Sequence, residues 1–363
     1  MIVKIGDVIS EYSVRNKFDE NIPVYSVTNE KGFCTGYFSK EVASKDKSTY
    51  KIVPRGYFAY NPSRINVGSV DWQKYEDRVI VSPLYVVFGV SDRLDRQYLL
   101  HYLKGDMMLS FIKEYATGSV RDNLKLTDLG KFPINLRPVE EQRQIAATLD
   151  KIDDLIVKRR QQLDKLDELV KSRFIEMFGV YPANPMGWEI GTIRDIVTEV
   201  RYGSSRPAVD GGKYPYLRMN NITYGGELDL SDTKRIDIPD NELDKCTVRR
   251  GDVLFNRTNS KDLVGKTCVY DRDEMMVLAG FVIRIRVKDC ILPEFLSAFL
   301  NTDFSKQMLL GMCKTAIGQA NINAQELQNI GLYLPPVELQ RRFIQFKKET
   351  DKSKSFDDLE VAA

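Results

Sequence analysis

One eight-residue segment occurs twice in this chain of 363 residues, as LRPVEEQR at Leu136–Arg143 and as LPPVELQR at Leu334–Arg341. Each copy follows a stretch long enough to form a domain with its own core. Recurrence at this distance indicates a tandem duplication. We therefore expect two similar halves, each a globular stretch followed by a helix.

The similarity continues on the N-terminal side of each copy. VPRGYFAYNPSR from Val53 aligns with VRRGDVLFNRTN from Val248, so that Asn61 falls on Asn256. Further matches are Gly118 with Gly318, Asn123 with Asn321, and Leu129 with Leu327. Because the order of the matches is preserved, the two halves are predicted to share one fold.

Both halves mix strand and helix patterns. The predicted strands are Pro23–Val27, Gly56–Tyr60, Val79–Val90, Val253–Asn256 and Phe281–Val287, and the predicted helices are Asp95–Tyr115 and Pro293–Met308. We expect an α/β fold of the mixed α+β kind. Two similar domains should form a pseudo-two-fold internal repeat, and long coiled-coil helices should separate them.

A long helix is predicted between the halves. No Gly or Pro interrupts Val139–Phe178, and Pro138 suits the first turn of a helix. About 40 residues at ~1.5 Å each give a rod roughly 60 Å long, which needs a partner helix. The apolar residues with coiled-coil spacing are Ile145, Leu149, Ile152, Ile156, Leu163, Leu166, Val170 and Met177. The segment after Pro336 repeats the start of this rod and supplies a partner.

The second helix is expected to be shorter than the first, because fewer residues follow Pro336. If the two helices pair, part of the first seam lacks a partner within the chain. We hypothesise that Leu163, Leu166, Val170 and Phe174 are covered by another subunit or exposed.

Composition excludes several classes of protein. Charged residues make up 29% of the chain and its net charge is +2, so any anion-binding surface must be local. The five cysteines form no CxxC pair, which disfavours a disulfide framework and a zinc site and favours a reducing cytoplasm. The N-terminal residues show no signal peptide, and no apolar run is long enough for a membrane span.

Catalytic motifs are not recognisable. VGKT, ending at Thr267, resembles the end of a phosphate-binding loop, but Ser260 stands where its first glycine would be, so a turn into a strand is favoured. The sole histidine, His101, is expected to be an ordinary helical residue. NPSR at Asn61 lacks the second proline and aromatic residue of an amino-methyltransferase motif, and no metal site is expected.

Loops rich in Asn, Ser, Thr, Arg and Gly connect the predicted elements. Arg can bond a guanine edge, Asn can bond an adenine, and Lys, Ser and main-chain amides can hold phosphates. These loops are SVTNEKGF from Ser26, NPSRINVGS from Asn61, RYGSSRP from Arg201, LRMNNIT from Leu217 and NRTNSKD from Asn256. The composition is compatible with DNA binding.

Three segments of the chain match the pattern of a known protein family. PVEEQRQIAATLDKIDDLIVKRRQQLDKLDELVKSRFIEMFG from Pro138, NPMGWEI from Asn184 and the second octapeptide closely resemble specificity subunits of type I restriction-modification enzymes. SVTNEKGF, AYNPSRINVGS, YLRMNNIT and GDVLFNRTNS resemble recurring elements of their recognition domains. The resemblance covers essentially the whole chain.

The resemblance implies a non-catalytic DNA-reading subunit. Each of two target-recognition domains would read one half of a bipartite target, and the helices would fix the unread spacer. The expected partners are double-stranded DNA, methyltransferase subunits that modify adenine, and restriction subunits. The chain itself would hold no cofactor, since S-adenosylmethionine, ATP and Mg belong to those partner subunits.

The resemblance also implies a division of the chain. We assign residues 1–137 to target-recognition domain 1, 138–179 to the central helix, 180–335 to target-recognition domain 2, and 336–363 to the shortened second helix and tail. The predicted DNA-binding residues are Asn61, Ser63, Arg64, Arg206, Arg218, Asn220, Asn256, Arg257 and Asn259. The predicted docking residues for other subunits are Pro138, Glu141, Gln142, Arg143, Pro336, Glu338, Gln340 and Arg341.

Two other functions are compatible with the residues alone. One is a stand-alone enzyme that cleaves or modifies DNA, which would act without partners. The other is a scaffold that uses the helices to space two protein-binding domains, which would not bind DNA.

Overall fold

A computed structural model describes residues 1–36, 46–117, 123–261, 263–316 and 319–360. The chain forms two compact units, Met1–Arg159 and Arg160–Ala363. The division between them falls inside the predicted long helix. None of the helices within these described ranges is both long and apolar enough to cross a membrane.

The first unit combines short strands with four helices. Its strands are β1 (Ile2–Lys4), β2 (Ile9–Glu11), β3 (Ser26–Thr28), β4 (Gly32–Cys34), β5 (Lys51–Pro54), β6 (Phe58–Tyr60), β7 (Val70–Trp72), β8 (Arg78–Val81), β9 (Val86–Val90) and β10 (Pro133–Asn135). Its α-helices are α1 (Arg96–Lys104), α2 (Asp106–Thr117), α3 (Leu126–Leu129) and the first part of α4 (Val139–Phe178). Short 3-10 helices occupy Ile5–Asp7 and Ile65–Val67.

The second unit repeats this plan with additional strands. Its strands are β11 (Glu189–Thr192), β12 (Val197–Tyr202), β13 (Tyr214–Leu217), β14 (Lys234–Ile236), β15 (Thr247–Val248), β16 (Val253–Asn256), β17 (Thr258–Asn259), β18 (Thr267–Val269), β19 (Met276–Leu278), β20 (Val282–Val287), β21 (Lys314–Ala316), β22 (Gln319–Asn321) and β23 (Gly331–Leu334). Its helices are α5 (Ile193–Ile196), α6 (Asp240–Cys246), α7 (Pro293–Leu300), α8 (Asp303–Met312), α9 (Ala324–Gln328) and α10 (Val337–Glu360), with a 3-10 helix at Met219–Asn221.

The central sheets of the two units have the same topology. The first has the strand order β2-β9-β6-β7 and the second β12-β20-β16-β18, with every pair antiparallel. The corresponding strands β6, which ends directly before Asn61, and β16, which ends at Asn256, each lie between corresponding neighbours. The internal repeat and the mixed α+β class predicted from the sequence are confirmed.

Some predicted elements are divided in the structure. Asp95–Tyr115 is not one helix but α1 and α2, because Gly105 takes an extended conformation between them. Pro293–Met308 likewise forms α7 and α8, since the Thr302 hydroxyl caps a new helix by accepting a bond from the Ser305 amide. The predicted strand Val79–Val90 is interrupted by a turn, in which the Tyr85 amide bonds the Ser82 carbonyl.

The long helix α4 has the predicted bounds, Val139–Phe178. It ends at Gly179, whose φ of +84° is unfavourable for residues with a Cβ atom. The amide of Gly179 bonds the Ile175 carbonyl, and the carbonyl of Gly179 accepts a bond of 2.7 Å from the buried Tyr333 hydroxyl. The C-terminal end of α4 is thereby anchored to the second unit.

The helix α10 runs antiparallel to the C-terminal part of α4. Phe343 contacts Phe174 and Phe178, with ring centroids 5.2 and 5.7 Å apart, and the Lys354 amine lies 2.6 Å from Asp167. Phe295 of α7 completes the aromatic cluster. This cluster lies in the hydrophobic core of the second unit and packs the C-terminal part of α4 into that core.

The hypothesis that the seam lacks cover around Phe174 was wrong. Phe174 is 2% exposed and Val170 packs against the core. The reason is that α10, which runs antiparallel to α4, covers the C-terminal end of α4. The exposed part of the seam lies nearer the N-terminus of α4, where Leu149, Ile152 and Ile156 are 37%, 46% and 44% exposed.

We predict that Phe174→Ala lowers the free energy of unfolding of the second unit by ~3–5 kcal/mol, because it leaves a cavity among three aromatic rings. Urea denaturation followed by the fluorescence of Trp188, in a Trp72→Phe background, measures this loss. The matched control is Leu169→Ala on the same helix, which removes a side chain that is 49% exposed and should change stability little. Equal effects of both variants would contradict the described packing.

Candidate nucleic-acid interface

A cleft of about 470 Å³ in the second unit gathers four predicted residues from three separate loops. They are Arg206, Arg218, Asn220 and Arg257. The other lining residues are Ser204, Ser205, Pro207, Ala208, Tyr216, Met219, Ala279, Gly280 and Phe281. Three cationic side chains thus meet apolar and aromatic ones in one concave surface.

Backbone contacts between loops build the floor of this cleft. The amide of Ser204 bonds the Leu278 carbonyl at 2.6 Å, and the amide of Gly280 bonds the Ser204 carbonyl at 2.7 Å. A Cβ atom on Gly203 would lie 2.2 Å from the Leu278 carbonyl oxygen, so this approach requires glycine. The loop after β12 and the loop before β20 are therefore held side by side.

Two of the three arginines are paired with carboxylates. Arg206 bonds Glu242 through both Nε and Nη2, at 3.2 and 2.8 Å. Arg218 bonds the Asp232 carboxylate at 2.8 Å and the Asp232 carbonyl at 3.1 Å through Nη2. The bond to Glu242 raises the pKa of Arg206, and the same bond lowers the pKa of Glu242.

Arg257 is held differently. Its guanidinium lies over the Tyr202 ring, 4.8 Å from the ring centroid, and Nη1 donates to the Gly280 carbonyl at 3.2 Å. Tyr202, and Phe281 of the cleft lining, were absent from the residues predicted from the sequence. An available signal was the position of Tyr202 inside the RYGSSRP loop, since aromatic residues next to arginine commonly stack on it.

The remaining predicted residues of this unit do not share the cleft equally. Asn220 is exposed at its rim. Asn259 lies outside the lining, and its Oδ1 accepts a bond from the Ser260 amide at 2.8 Å. The Asn256 side chain is fully buried at the end of β16, so it is not available to a DNA surface. The prediction of a DNA contact for Asn256 is corrected: the side chain points into the protein interior.

The predicted residues of the first unit lie on one loop. Asn61 Oδ1 accepts a bond from the Ser63 amide at 3.1 Å, and the Ser63 hydroxyl bonds Asn123 at 2.6 Å. Arg64 is exposed directly before the 3-10 helix. Asn61 and Ser63 therefore shape the loop, while Arg64 extends from it, and their roles in DNA binding stay predictions.

The two octapeptides contain an interior clamp. Gln142 Nε2 donates to the carbonyls of Arg93 and Arg137 at 2.9 and 2.7 Å, and its Oε1 accepts from the Asp95 amide at 2.8 Å. One glutamine thereby ties the first turn of α4 to the loop that precedes α1.

Gln340 makes the same three bonds in the second unit. Its Nε2 donates to the carbonyls of Cys290 and Pro335 at 3.2 and 2.8 Å, and its Oε1 accepts from the Leu292 amide at 2.8 Å. Both glutamines are 0% exposed. The prediction that Gln142 and Gln340 dock other subunits is corrected, because their amides are buried and bonded to backbone.

The other predicted docking residues lie at or near the surface. Arg137 and Arg143 pair with Glu141 and Glu140, and Arg341 lies 3.7 Å from Glu338. Pro138 and Pro336 are exposed and directly precede α4 and α10. Subunit docking by Pro138, Glu141, Arg143, Pro336, Glu338 and Arg341 stays a prediction.

The residues that resemble parts of catalytic motifs make structural contacts. The Lys266 amine of VGKT donates to the carbonyls of Met219 and Ile222, and the segment turns into β18 as predicted. His101 lies on α1, with Nε2 2.8 Å from Asp150 of α4. Among the described residues, no three His, Cys, Asp or Glu side chains are grouped to hold a metal ion.

We predict that Gln340→Met destabilises the second unit by roughly 1–3 kcal/mol for each backbone group left unpaired, although the side chains have similar length. Thermal and urea denaturation measure the loss, and Gln142→Met should behave alike in the first unit. Gln345→Met on α10 is the control, because the Gln345 amide donates to Glu349 in an exposed pair. Unchanged stability of both buried variants would refute the clamp.

Comparisons with known proteins relate this chain to one family. The family model for the type I restriction modification DNA specificity domain matches residues 2–167 and again residues 185–354. The EcoKI specificity subunit of Escherichia coli K12, a type I restriction enzyme subunit, is 22% identical over 263 residues, which are 68% of this chain and 56% of that protein. The chain spans about half the length of the curated relatives it matches.

Two solved structures share the fold. A chain from a study of complex assembly and conformational transition in a type I R-M system has a TM-score of 0.59 at 18% identity, covering 100% of this chain and 92% of that one. The S subunit of a type I restriction-modification system from M. genitalium has a TM-score of 0.50 at 14% identity, with the same coverage.

Proposed function

The chain belongs to the type I restriction modification DNA specificity family, and from this membership we propose that it is the sequence-reading subunit of a type I restriction-modification complex. Each recognition domain would read one half of a bipartite DNA target. The subunit would perform no chemistry itself, because methylation and cleavage would belong to its partners.

The repeated central sheet is the observation that carries this proposal. Two sheets of identical strand order, each matched separately by the family model, are what two readers of two half-sites require. A single-site enzyme has no need of a second copy. We propose that α4 and α10 set the length of the unread spacer, since a continuous helix is a rigid element of fixed length.

The cleft of the second unit supports base recognition by that domain. Arg206, Arg218, Asn220 and Arg257 supply hydrogen-bond donors, and Asn220 also an acceptor, suited to base edges and phosphates. The acidic partners Glu242 and Asp232 hold Arg206 and Arg218 in defined orientations. In the first domain, Arg64 is the exposed cation of the corresponding loop.

The proposed partners follow from the family. Methyltransferase subunits with S-adenosylmethionine would modify adenine, and restriction subunits using ATP and Mg would cleave. The exposed parts of the two octapeptides are the proposed docking surfaces. We place the complex in the cytoplasm, where the target DNA lies and where the five free thiols would stay reduced.

Mapping methylated adenines in the host genome tests the proposal. With the chain present we expect a two-part motif with a constant gap, and deletion of the chain should abolish methylation at that motif. Exchange of residues 180–335 for those of another family member should change one half of the motif and leave the other half intact, because each domain reads separately.

An exchange of the exposed residues 271–273, which lie outside the cleft lining, provides a control, since it should alter neither half. A one-part motif, or an exchange that changes both halves together, would contradict the assignment. Methylation or cleavage of DNA by the purified chain without partners would support the stand-alone enzyme instead.

A further inference from the structure

We propose that Arg257 reads a guanine in the half-site of the second domain, and that Tyr202 is the positioning residue that orients it. This inference rests on the proposed DNA-reading function and assigns a base and a second residue to it. The ligand is the acceptor edge of guanine, O6 and N7, in double-stranded DNA.

The guanidinium of Arg257 is fixed before any ligand arrives. Its backbone is bonded on both sides, by the Arg257 amide to the Phe281 carbonyl and by the Ile322 amide to the Arg257 carbonyl. The Tyr202 ring supports one face at 4.8 Å, and the Gly280 carbonyl receives Nη1. Such a group loses little side-chain entropy when it binds.

Tyr202 is itself anchored. It ends β12, whose register with β20 pairs it with Ile283, and its hydroxyl accepts a bond of 2.8 Å from the Ala324 amide. The ring is therefore held at both its backbone and its hydroxyl. A fixed aromatic face beneath a guanidinium restricts the plane in which its N–H groups point.

Arg257 differs from the two other arginines in the availability of its charge. Glu242 occupies two donors of Arg206, and Asp232 neutralises Arg218. Among the described residues, Arg257 has no carboxylate partner within ion-pair distance, and its contacts are a ring and a carbonyl. It is therefore the cleft arginine whose charge and Nη2 edge are uncommitted.

The acceptor edge of guanine fits this arrangement better than a phosphate does. Guanine presents two adjacent acceptors in one plane, and a fork of two N–H groups bonds both. A fork can also bond two oxygens of a phosphate, but such a contact carries no sequence information. A fixed plane adds discrimination when the ligand is a base edge, because only an edge with two acceptors in that plane bonds both N–H groups.

The internal repeat supports a role in specificity. Asn61 and Asn256 are the same residue in the two aligned copies, yet the next position is Pro62 in the first and Arg257 in the second. Proline has no side-chain donor. The asparagine is thus the same in both copies, while the residue after it differs. This difference is expected of a residue that makes the two half-sites differ.

The test uses the chain in complex with its methyltransferase subunits and duplexes that carry the mapped methylation motif. Each guanine of the second half-site is replaced in turn by 7-deazaguanine, which keeps base pairing but lacks the N7 acceptor. We expect one replacement to weaken wild-type binding ~5-fold or more, the lower end of the range for a bidentate base contact, because one of its two bonds is lost. Arg257→Ala should bind that duplex and the natural one equally.

Two variants of Tyr202 distinguish a role in orienting Arg257 from a role in folding. Tyr202→Leu removes the aromatic face and should lose part of the discrimination between the two duplexes. Tyr202→Phe keeps the face and should retain most of it. Arg250→Ala is the charge control, because Arg250 is an exposed arginine of the same unit paired with Asp273, and it should discriminate as wild type does.

Several results would overturn the inference while leaving the DNA-reading function intact. One is a second half-site that contains no guanine on either strand. Another is a wild-type complex indifferent to every 7-deazaguanine. A third is an Arg257→Ala variant that binds all duplexes more weakly by one factor, with a salt slope reduced by about 1, which identifies a phosphate contact. Absence of any two-part motif would instead remove the proposed function itself.

Discussion

The buried amide of Gln142, repeated by Gln340, is the interaction on which each unit depends. Its three bonds join the start of a long helix, the loop before α1 or α7, and the residue in front of the helix proline. Glutamine suits this position because one side chain provides two donors and an acceptor. Without it, several backbone groups would be buried unpaired, at a cost comparable to a lost hydrogen bond for each.

This clamp gives a physical reason for the strongest sequence repeat. Each glutamine side chain bonds only backbone groups, so replacing the glutamine would leave those groups unpaired, whereas the bonded residues can differ, as Arg137 and Pro335 do. The loops that are proposed to read DNA lie outside this clamp. The duplicated octapeptide therefore retains its similarity where the loops do not, as the difference between Pro62 and Arg257 shows.

The cleft of the second unit combines paired and unpaired cations. Glu242 and Asp232 balance two of its three arginines, and among the described residues Arg257 has no carboxylate partner. Exposed ion pairs of this kind contribute little to stability, so their main consequence is orientation. An arginine held in a defined direction favours recognition of particular bases over general attraction to phosphate.

The sequence by itself determined the duplication, the mixed α+β class and the bounds of α4, because these follow from repeated residues, uninterrupted helix formers and a closing glycine. It also identified the loops whose arginines form the cleft. Only the tertiary structure decided that Gln142, Gln340 and Asn256 are interior and that Tyr202 supports Arg257. Burial and pairing depend on residues distant in sequence, and an amide side chain suited to a molecular surface is equally suited to bond buried backbone, as those of Gln142 and Gln340 do.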